Sequence, residues 1–98
     1  MSMEKINESY RDELLLIKEI FERKSVAYGK DNIMDADTTE HEALNALYYR
    51  MKDKLNRYNT LVNTADIGDS ANESLTDTLR DLANYALIAC IVAKKDWE

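Results

Sequence analysis

The chain has 98 residues, with no proline and two glycines, and 45% of its residues are apolar and 33% charged. This composition predicts one domain of long helices with few turns, and it argues against a β-sandwich or a barrel. The formal net charge of −6 argues against DNA or RNA as a partner, because proteins bind a phosphate polymer mainly through many cationic contacts. A small anion held by a few cations is still compatible with this charge.

Cysteine content and hydropathy predict the compartment. The single cysteine, Cys90, permits no disulfide and no paired-thiolate metal site within one chain. The N-terminal segment MSMEKINESY is polar and charged, and no stretch reaches the roughly 18 uncharged apolar residues that a membrane span needs. We therefore expect a cytoplasmic protein with no membrane partner.

The first predicted helix covers about residues 2–28, where apolar side chains recur at three- and four-residue steps. Gly29 follows directly and is expected to end this helix, because glycine readily adopts the left-handed conformation found after many helices. Lys30, Asp31 and Asn32 are expected to continue as a polar loop. The predicted apolar stripe consists of Ile6, Tyr10, Leu14, Ile17, Phe21 and Tyr28.

The second predicted helix covers about residues 39–63. Thr39 and Glu42 have the spacing of a reciprocal capping box, in which each side chain bonds the backbone amide of the other residue. A turn at Ile67–Asp69 is expected to follow the helix. The predicted core stripe, close to a heptad pattern, consists of Leu44, Tyr48, Met51, Leu55, Tyr58 and Val62.

The third predicted helix covers about residues 71–95 and begins near Ser70 and Glu73, a second candidate capping box. Lys94 and Lys95 are expected to complement the helix dipole at its carboxyl end. The predicted core stripe consists of Leu75, Leu79, Leu82, Ala86, Ala89 and Ala93.

The end of this third helix is apolar on nearly every side, because several residues lie off the predicted stripe. These residues are Leu87, Ile88, Ile91 and Val92. Two companion helices cannot cover such a surface. We therefore predict an all-α fold, an up-down-up three-helix bundle over residues 1–98 that is completed by homo-oligomerisation. Trp97 is a candidate for the interface between subunits.

The second helix carries a basic row in an otherwise acidic chain. At 100° per residue, Arg50, Lys54 and Arg57 share a face with Asp53, well away from the predicted core stripe. A few cations on one face can hold the oxygens of a phosphate group. These residues are therefore candidate ligand contacts.

The third helix carries an acidic row, in which Glu73, Asp77 and Asp81 repeat every four residues and Asn84 follows. Carboxylates at this spacing repel each other and cost helix stability. Two or three of them can share a Mg²⁺ ion, which fills its remaining positions with water or substrate phosphate. Glu73, Asp77 and Asp81 are therefore candidate metal ligands, with Mg²⁺ as the candidate cofactor.

Both rows also have a simpler interpretation as solvated faces. In that case their charges would pair between neighbouring helices, for example Arg57 with Asp77 or Arg80 with Asp53. Charge runs of this kind usually contribute solubility and little stability. The residues alone leave both interpretations open.

Six tyrosines are many for a chain of this length. Tyr28, Tyr49 and Tyr85 could stack on a nucleotide base, although most helical tyrosines simply pack in a core or an interface. The sequence has no glycine-rich phosphate loop and no serine–histidine–acid pattern. Any nucleotide site must therefore be assembled from helix faces.

Three segments resemble a phage and bacterial family, the nucleotide modification associated domain of the first type. They are FERKSVAYGKDN, YYRMKDKLNRYNTLV and ESLTDTLRDLANYALIA, so the resemblance spans most of the chain. The chain is also similar to the all-α nucleotide pyrophosphohydrolases of the MazG and dimeric dUTPase group. The resemblance implies a helical oligomer whose pocket binds a nucleotide. The residues at the family's motif positions are Lys24, Tyr28, Gly29, Asp53, Lys54, Arg57, Asp77, Asp81, Asn84 and Tyr85.

Two departures from the family pattern bear on the activity. Ala27 stands where family members usually carry an aspartate before the Tyr-Gly pair. The helix before the final acid row offers one acid, Asp53, where the hydrolases have an acidic cluster. Fewer carboxylates weaken the case for metal activation of water, while the cations still suit phosphate binding.

The leading hypothesis is a small phage-type protein that binds a phosphorylated nucleotide in the bacterial host cytosol and sequesters it without turnover, as a sponge for an immune signal. Arg50, Lys54 and Arg57 would hold phosphates, and Asn84 would read a base or sugar edge. Tyr28 or Tyr85 would stack on the base.

Two alternatives stay open at this point. One is a Mg²⁺-dependent nucleotide pyrophosphohydrolase in which Glu73, Asp77, Asp81 and Asp53 are the metal ligands and a metal-held water is the nucleophile. The other is a protein–protein interaction module that uses the apolar surface of the third helix. Whether the chain is an enzyme is not decided by its residues.

Overall fold

A computed structural model describes residues 2–64 and 69–98, with the side chains of residues 69–72 excepted. Helix α1 covers Met3–Tyr28, a short 3₁₀ turn covers Lys30–Asn32, α2 covers Glu40–Val62 and α3 covers Asp69–Ala93. The all-α, three-helix prediction is confirmed, and the described residues contain no strand. The turn predicted at residues 67–69 and the capping side chain of Ser70 lie outside this description.

Two helix ends predicted from local signals are confirmed, the start of α2 and the end of α1, whereas α3 ends at Ala93, before Lys94 and Lys95. The Glu42 amide donates to Thr39 Oγ1 and the Thr39 amide donates to Glu42 Oε1, both at 3.1 Å, which completes the capping box of α2. Gly29 ends α1 with φ 72° and ψ 171° while its amide donates to the Ser25 carbonyl. This combination of angles is populated almost only by glycine.

Helices α2 and α3 form an antiparallel pair around a small core. Ala43 and Leu47, near the start of α2, pack with Ile88 and Val92, near the end of α3. Farther along α2, the contacts with α3 continue in order as Arg50 with Tyr85, Lys54 with Asp81 and Arg57 with Thr78. The inner face of α2 therefore changes from apolar to cationic along its length.

Helix α1 runs parallel to α3, which completes the up-down-up order. Arg80 bonds Glu13 and Asn84 bonds the Ile17 carbonyl, and in both cases the partners are 67 residues apart. Trp97 bonds the Lys30 carbonyl at the same separation of 67 residues. Among the described residues, α1 packs on α3, and no Cα atom of α1 lies within 8 Å of a Cα atom of α2. No described helix is long and apolar enough to cross a membrane.

The predicted core stripes of α2 and α3 are confirmed only in part. Leu44, Met51 and Ala89 pack against the core cluster, but the buried residues of that cluster lie off the predicted stripes. The face of α2 that packs against α3 carries Ala43 and Leu47, followed by the basic row. The tyrosines of the predicted stripe, Tyr48 and Tyr58, are exposed. On α3, Ile88 and Val92 are buried although they lie off the predicted stripe. Members of the predicted stripes that are exposed in the chain are Tyr48, Leu55, Tyr58, Val62, Leu79, Ala86 and Ala93.

Only the second half of the apolar stripe of α1 packs against other residues of the chain. Phe21 packs against the core cluster and Ile17 is partly buried. Ile6, Tyr10 and Leu14, in the first half of the helix, are exposed. The first half of α1 therefore presents its apolar stripe to the surroundings.

Candidate functional site

A cavity of about 570 Å³ lies where the end of α1, the 3₁₀ turn, α2, α3 and the residues after α3 come together. Its size is within the range of small-ligand sites, roughly 300–1,000 Å³. Residues far apart in sequence meet here because α1 and α2 both pack on α3. Five residues predicted to bind a ligand line the cavity: Lys24, Tyr28, Arg50, Asn84 and Tyr85.

Asp81 is the centre of the charged groups beside the cavity. Lys24 Nζ lies 3.0 Å from Asp81 Oδ1, and Lys54 Nζ lies 3.2 Å from Asp81 Oδ2. Burial raises the pKa of Asp81, but the hydrogen bonds and charges of Lys24 and Lys54 outweigh it, so the pKa lies below its ordinary value. The carboxylate is therefore ionised at neutral pH and holds one lysine from each of two helices.

Arg50 connects α2 to the 3₁₀ turn and to α3. Its Nη2 donates to the Asn32 carbonyl at 3.2 Å. Its guanidinium carbon lies 5.8 Å from the centre of the Tyr85 ring, within the range of a cation–π interaction. These contacts orient the guanidinium at the cavity wall, where its other N–H groups can meet an anion.

Asn84 is a buried polar residue in the cavity wall. Its Nδ2 donates to the Ile17 carbonyl at 3.1 Å, which fixes the amide against α1. Its carbonyl oxygen makes no hydrogen bond with a described residue, and none of the described buried side-chain polar atoms lacks a partner, so this oxygen is accessible. It can accept a hydrogen bond from an amino group of a ligand.

An aromatic wall closes the side of the cavity near the end of the chain. The Phe21 and Trp97 rings meet edge to face, with their centres 6.3 Å apart. Trp97 Nε1 donates to the Lys30 carbonyl at 3.1 Å. Tyr28, 66% exposed, stands at the mouth. Within the chain Trp97 packs on α1 and the turn, and its place in a subunit interface stays a prediction.

A tight turn after α3 brings Trp97 to this position. Lys95 has φ 65°, and its amide donates to the Val92 carbonyl at 3.0 Å while the Asp96 amide donates to the Ile91 carbonyl at 3.0 Å. This is the hydrogen-bond pattern of a Schellman motif with lysine at the left-handed position. Sequence reasoning missed Phe21 and Trp97 as cavity residues, because a lysine gives no signal for a left-handed turn.

Three predicted ligand residues lie outside the cavity lining. Lys54 acts only through its contact with Asp81. Arg57 Nε donates to the buried hydroxyl of Thr78 at 3.2 Å, so its charge serves the packing of α2 on α3. Asp53 is exposed and has no hydrogen bond or ion pair with any described residue. The basic row therefore divides between the cavity, where Arg50 lies, and the interhelix contact.

The candidate metal ligands are dispersed along α3. Asp77 is 65% exposed and bonds Arg80, which also binds Glu13 at 2.9 Å. Both oxygens of Asp81 are held by lysines, and Glu73 is exposed. Among the described residues, no group of three histidine, cysteine or acidic side chains is close enough to hold a metal ion. As placed, these side chains do not converge on one ion, and the Mg²⁺ assignment stays a prediction.

Comparison with known proteins supplies no relative, since no family model, no curated protein and no solved structure matches this chain. The resemblance of three segments to the nucleotide modification associated domain therefore stays a prediction. The case for a function depends on the geometry of the cavity and on the chemistry of its lining.

Proposed function

We propose that this protein binds a phosphorylated nucleotide in the cavity between α1, α2 and α3. The observation that carries the proposal is the convergence of Lys24, Arg50, Asn84 and Tyr85 on one cavity of about 570 Å³. A nucleotide needs cations for its phosphate, a flat apolar surface for its base and a polar group for the base edge. The cavity supplies all three.

The lining suggests a division of roles. Lys24 and Arg50 hold the phosphate, because a charge-assisted hydrogen bond is stronger than one between neutral groups. Tyr28 or Tyr85 stacks on the base, a contact worth roughly 1–3 kcal/mol per base in proteins that bind single strands. The free carbonyl oxygen of Asn84 accepts from an amino group on the base.

We propose binding without turnover, so that the protein sequesters its ligand. The pairing of Asp81 with Lys24 and Lys54 supports this choice, because a carboxylate whose two oxygens each already hold a lysine is a poor metal ligand or base. If the chain is phage-encoded, the bacterial cytosol is the compartment in which it would act as a sponge for a nucleotide signal.

A direct binding measurement tests the proposal. Calorimetry with a panel of mono-, tri- and cyclic nucleotides is expected to find at least one ligand with a dissociation constant in the micromolar range or below. Lys24→Ala is expected to weaken that binding about tenfold or more, the scale of one charged hydrogen bond. Lys52→Ala, which alters an exposed lysine of α2 outside the cavity lining, is the matched control. No binding to any member of the panel would remove the proposal.

Analysis of the nucleotide recovered from the protein distinguishes sequestration from hydrolysis. Intact nucleotide, released on denaturation after incubation with Mg²⁺, supports sequestration. Release of pyrophosphate that disappears in Asp81→Ala would instead support a Mg²⁺-dependent pyrophosphohydrolase with Asp53, Glu73, Asp77 and Asp81 as its acids.

We further propose that the protein works as a homo-oligomer. Exposed apolar side chains follow the outer stripe of α2 and, separately, the first half of α1, and an exposed apolar surface of this kind is a candidate interface. These side chains are Tyr48, Leu55, Tyr58 and Val62 on α2, and Ile6, Tyr10 and Leu14 on α1. Light scattering gives the subunit number. A monodisperse monomer would favour the interaction-module alternative, in which the apolar surface of α3 binds another protein.

A further inference from the structure

We infer that the cavity selects a nucleotide with a single phosphate group over a di- or triphosphate, and that Asp81 is the residue that sets this limit. The inference depends on the proposed nucleotide binding and specifies its ligand class. It follows from the balance of charges around the cavity and from the position of one carboxylate in that balance.

The described lining carries equal numbers of positive and negative side chains. Its cations are Lys24, Lys30 and Arg50, and its anions are Asp81, Asp96 and Glu98. A phosphate monoester brings one to two negative charges, and a triphosphate brings about four. The lining itself has no surplus of cations, and Lys54, outside the lining, already pairs with Asp81. Each additional phosphate must therefore be placed without a new counter-charge from the lining.

Asp81 is the least exposed of the three anions. Its side chain is 23% exposed, whereas that of Asp96 is 65% exposed and already pairs with Lys94 at 3.6 Å. Solvent screens exposed charges more than part-buried ones. Asp81 also occupies Lys24, the cavity lysine of α1, at 3.0 Å. It therefore lowers the positive potential at the place where a phosphate would bind.

The expected size of this effect follows from Coulomb's law. At a separation of about 6 Å, one unit of ligand charge beside the carboxylate loses roughly 3-fold in affinity in water-like surroundings, and roughly 100-fold at an effective dielectric constant of about 20. The penalty grows with each phosphate. Removing the carboxylate charge should therefore improve the binding of highly charged ligands most.

Asp81→Asn removes the charge and keeps the shape of the side chain. Glu22→Gln is the matched control, because Glu22 on α1 is also ion-paired, with Lys18 at 3.4 Å, and does not line the cavity. Asp81→Ser, which also removes the charge, is a second variant in case the amide disturbs folding, and circular dichroism verifies the helices of each protein.

The experiment titrates the wild type and the three variants with inorganic phosphate, pyrophosphate and tripolyphosphate, and with adenosine and guanosine mono-, di- and triphosphates. All titrations are made in chelator without Mg²⁺. The wild type is expected to favour the monophosphate at least tenfold over the triphosphate. Asp81→Asn and Asp81→Ser are expected to gain tenfold or more for tripolyphosphate and less for phosphate, while Glu22→Gln matches the wild type.

Three results would overturn the inference: equal wild-type affinity for mono- and triphosphates, an Asp81→Asn effect that does not depend on ligand charge, or no binding of any inorganic anion to wild type and variants. The inorganic series separates this failure from that of the proposed function. Charge-dependent binding of the inorganic anions without binding of any nucleotide would support the role of Asp81 and remove nucleotide binding. Nucleotide binding that does not depend on ligand charge would support the proposed function and remove the role of Asp81.

Discussion

Lys24 of α1 and Asp81 of α3 form an ion pair at 3.0 Å across 57 residues of sequence. The same carboxylate also forms an ion pair with Lys54 of α2, at 3.2 Å. One side chain therefore joins all three helices beside the cavity. Because Asp81 and Lys24 also line the cavity, the contact that holds the helices together is also part of the proposed ligand site.

This pairing predicts a pH dependence of stability. The folded-state pKa of Asp81 is depressed, with burial opposing and the two lysines causing the depression. Its contribution to the free energy of unfolding is therefore fully present above the unfolded pKa of about 3.9 and is lost as pH falls through the lower folded value. Urea unfolding between pH 7 and 2.5 should show wild type more stable than Asp81→Asn at pH 7, with a gap that shrinks below about pH 4.

Glu13, whose pKa is lowered by its hydrogen bond with Arg80, contributes to the pH dependence of both proteins and cancels in that comparison. A constant gap from pH 7 to 2.5 would contradict the role of the ionised Asp81. Asp53→Asn, at an exposed acid of α2 with no partner among the described residues, is expected to leave the pH profile unchanged.

Gly29 is predicted to tolerate no other residue without loss of stability. Its φ of 72° and ψ of 171° belong to a region open almost only to glycine, so Gly29→Ala should cost about 1–3 kcal/mol. A Cβ at this position would meet nothing within 4 Å, so the cost is in the backbone and not in packing. Chemical denaturation measures it.

Gly29→Asn sharpens this test. Asparagine is tolerated at an ordinary left-handed helix end, where ψ is near 45°, but not at ψ 171°. It should therefore destabilise about as much as alanine. An asparagine variant as stable as wild type would show that the chain can relax to the ordinary left-handed cap.

Trp97 is predicted to report ligand binding directly. It is the one tryptophan of the chain and lines the cavity, so its fluorescence should change in intensity or wavelength on titration with a nucleotide that binds. Trp97→Phe keeps a ring against Phe21 but loses the bond to the Lys30 carbonyl, which should cost about 0.5–1.5 kcal/mol of stability.

Trp97→Ala removes the wall as well and should weaken ligand binding more than Trp97→Phe does. Calorimetry compares the two variants with wild type. Equal affinity in all three proteins would place the ligand away from the aromatic wall.

Leu55 and Tyr58 are predicted to lie in the contact between subunits. Both are exposed in the single chain, so Leu55→Glu and Tyr58→Glu should leave the helical content unchanged. They should lower the mass measured by light scattering, because a charge in an apolar interface loses its hydration without a partner. Asn56→Glu, at an exposed polar position between them, is the control. An unchanged mass in all three variants would contradict this interface.

Several features of this protein could be predicted from local sequence. The reciprocal bonds of Thr39 and Glu42, the end of α1 at Gly29 and the three helices all depend on residues within one turn of each other. Interactions over so short a distance are determined by residue type and spacing. Arg50 and Asn84 were candidate contacts because charge and amide chemistry are visible in the residues themselves, and Lys24 was a candidate through the family resemblance; all three line the cavity.

The tertiary structure alone decided which helix faces meet. The 3.6-residue period shows that α2 has an apolar stripe, but it does not show whether that stripe faces the same chain or solvent. In the folded chain the face of Ala43 and Leu47 packs against α3, so that Arg50 and Lys54 also face α3 and Tyr48 is exposed. The parallel docking of α1 and the left-handed turn at Lys95 then brought Trp97 to the cavity. Both depend on contacts between residues distant in sequence, which no local pattern encodes.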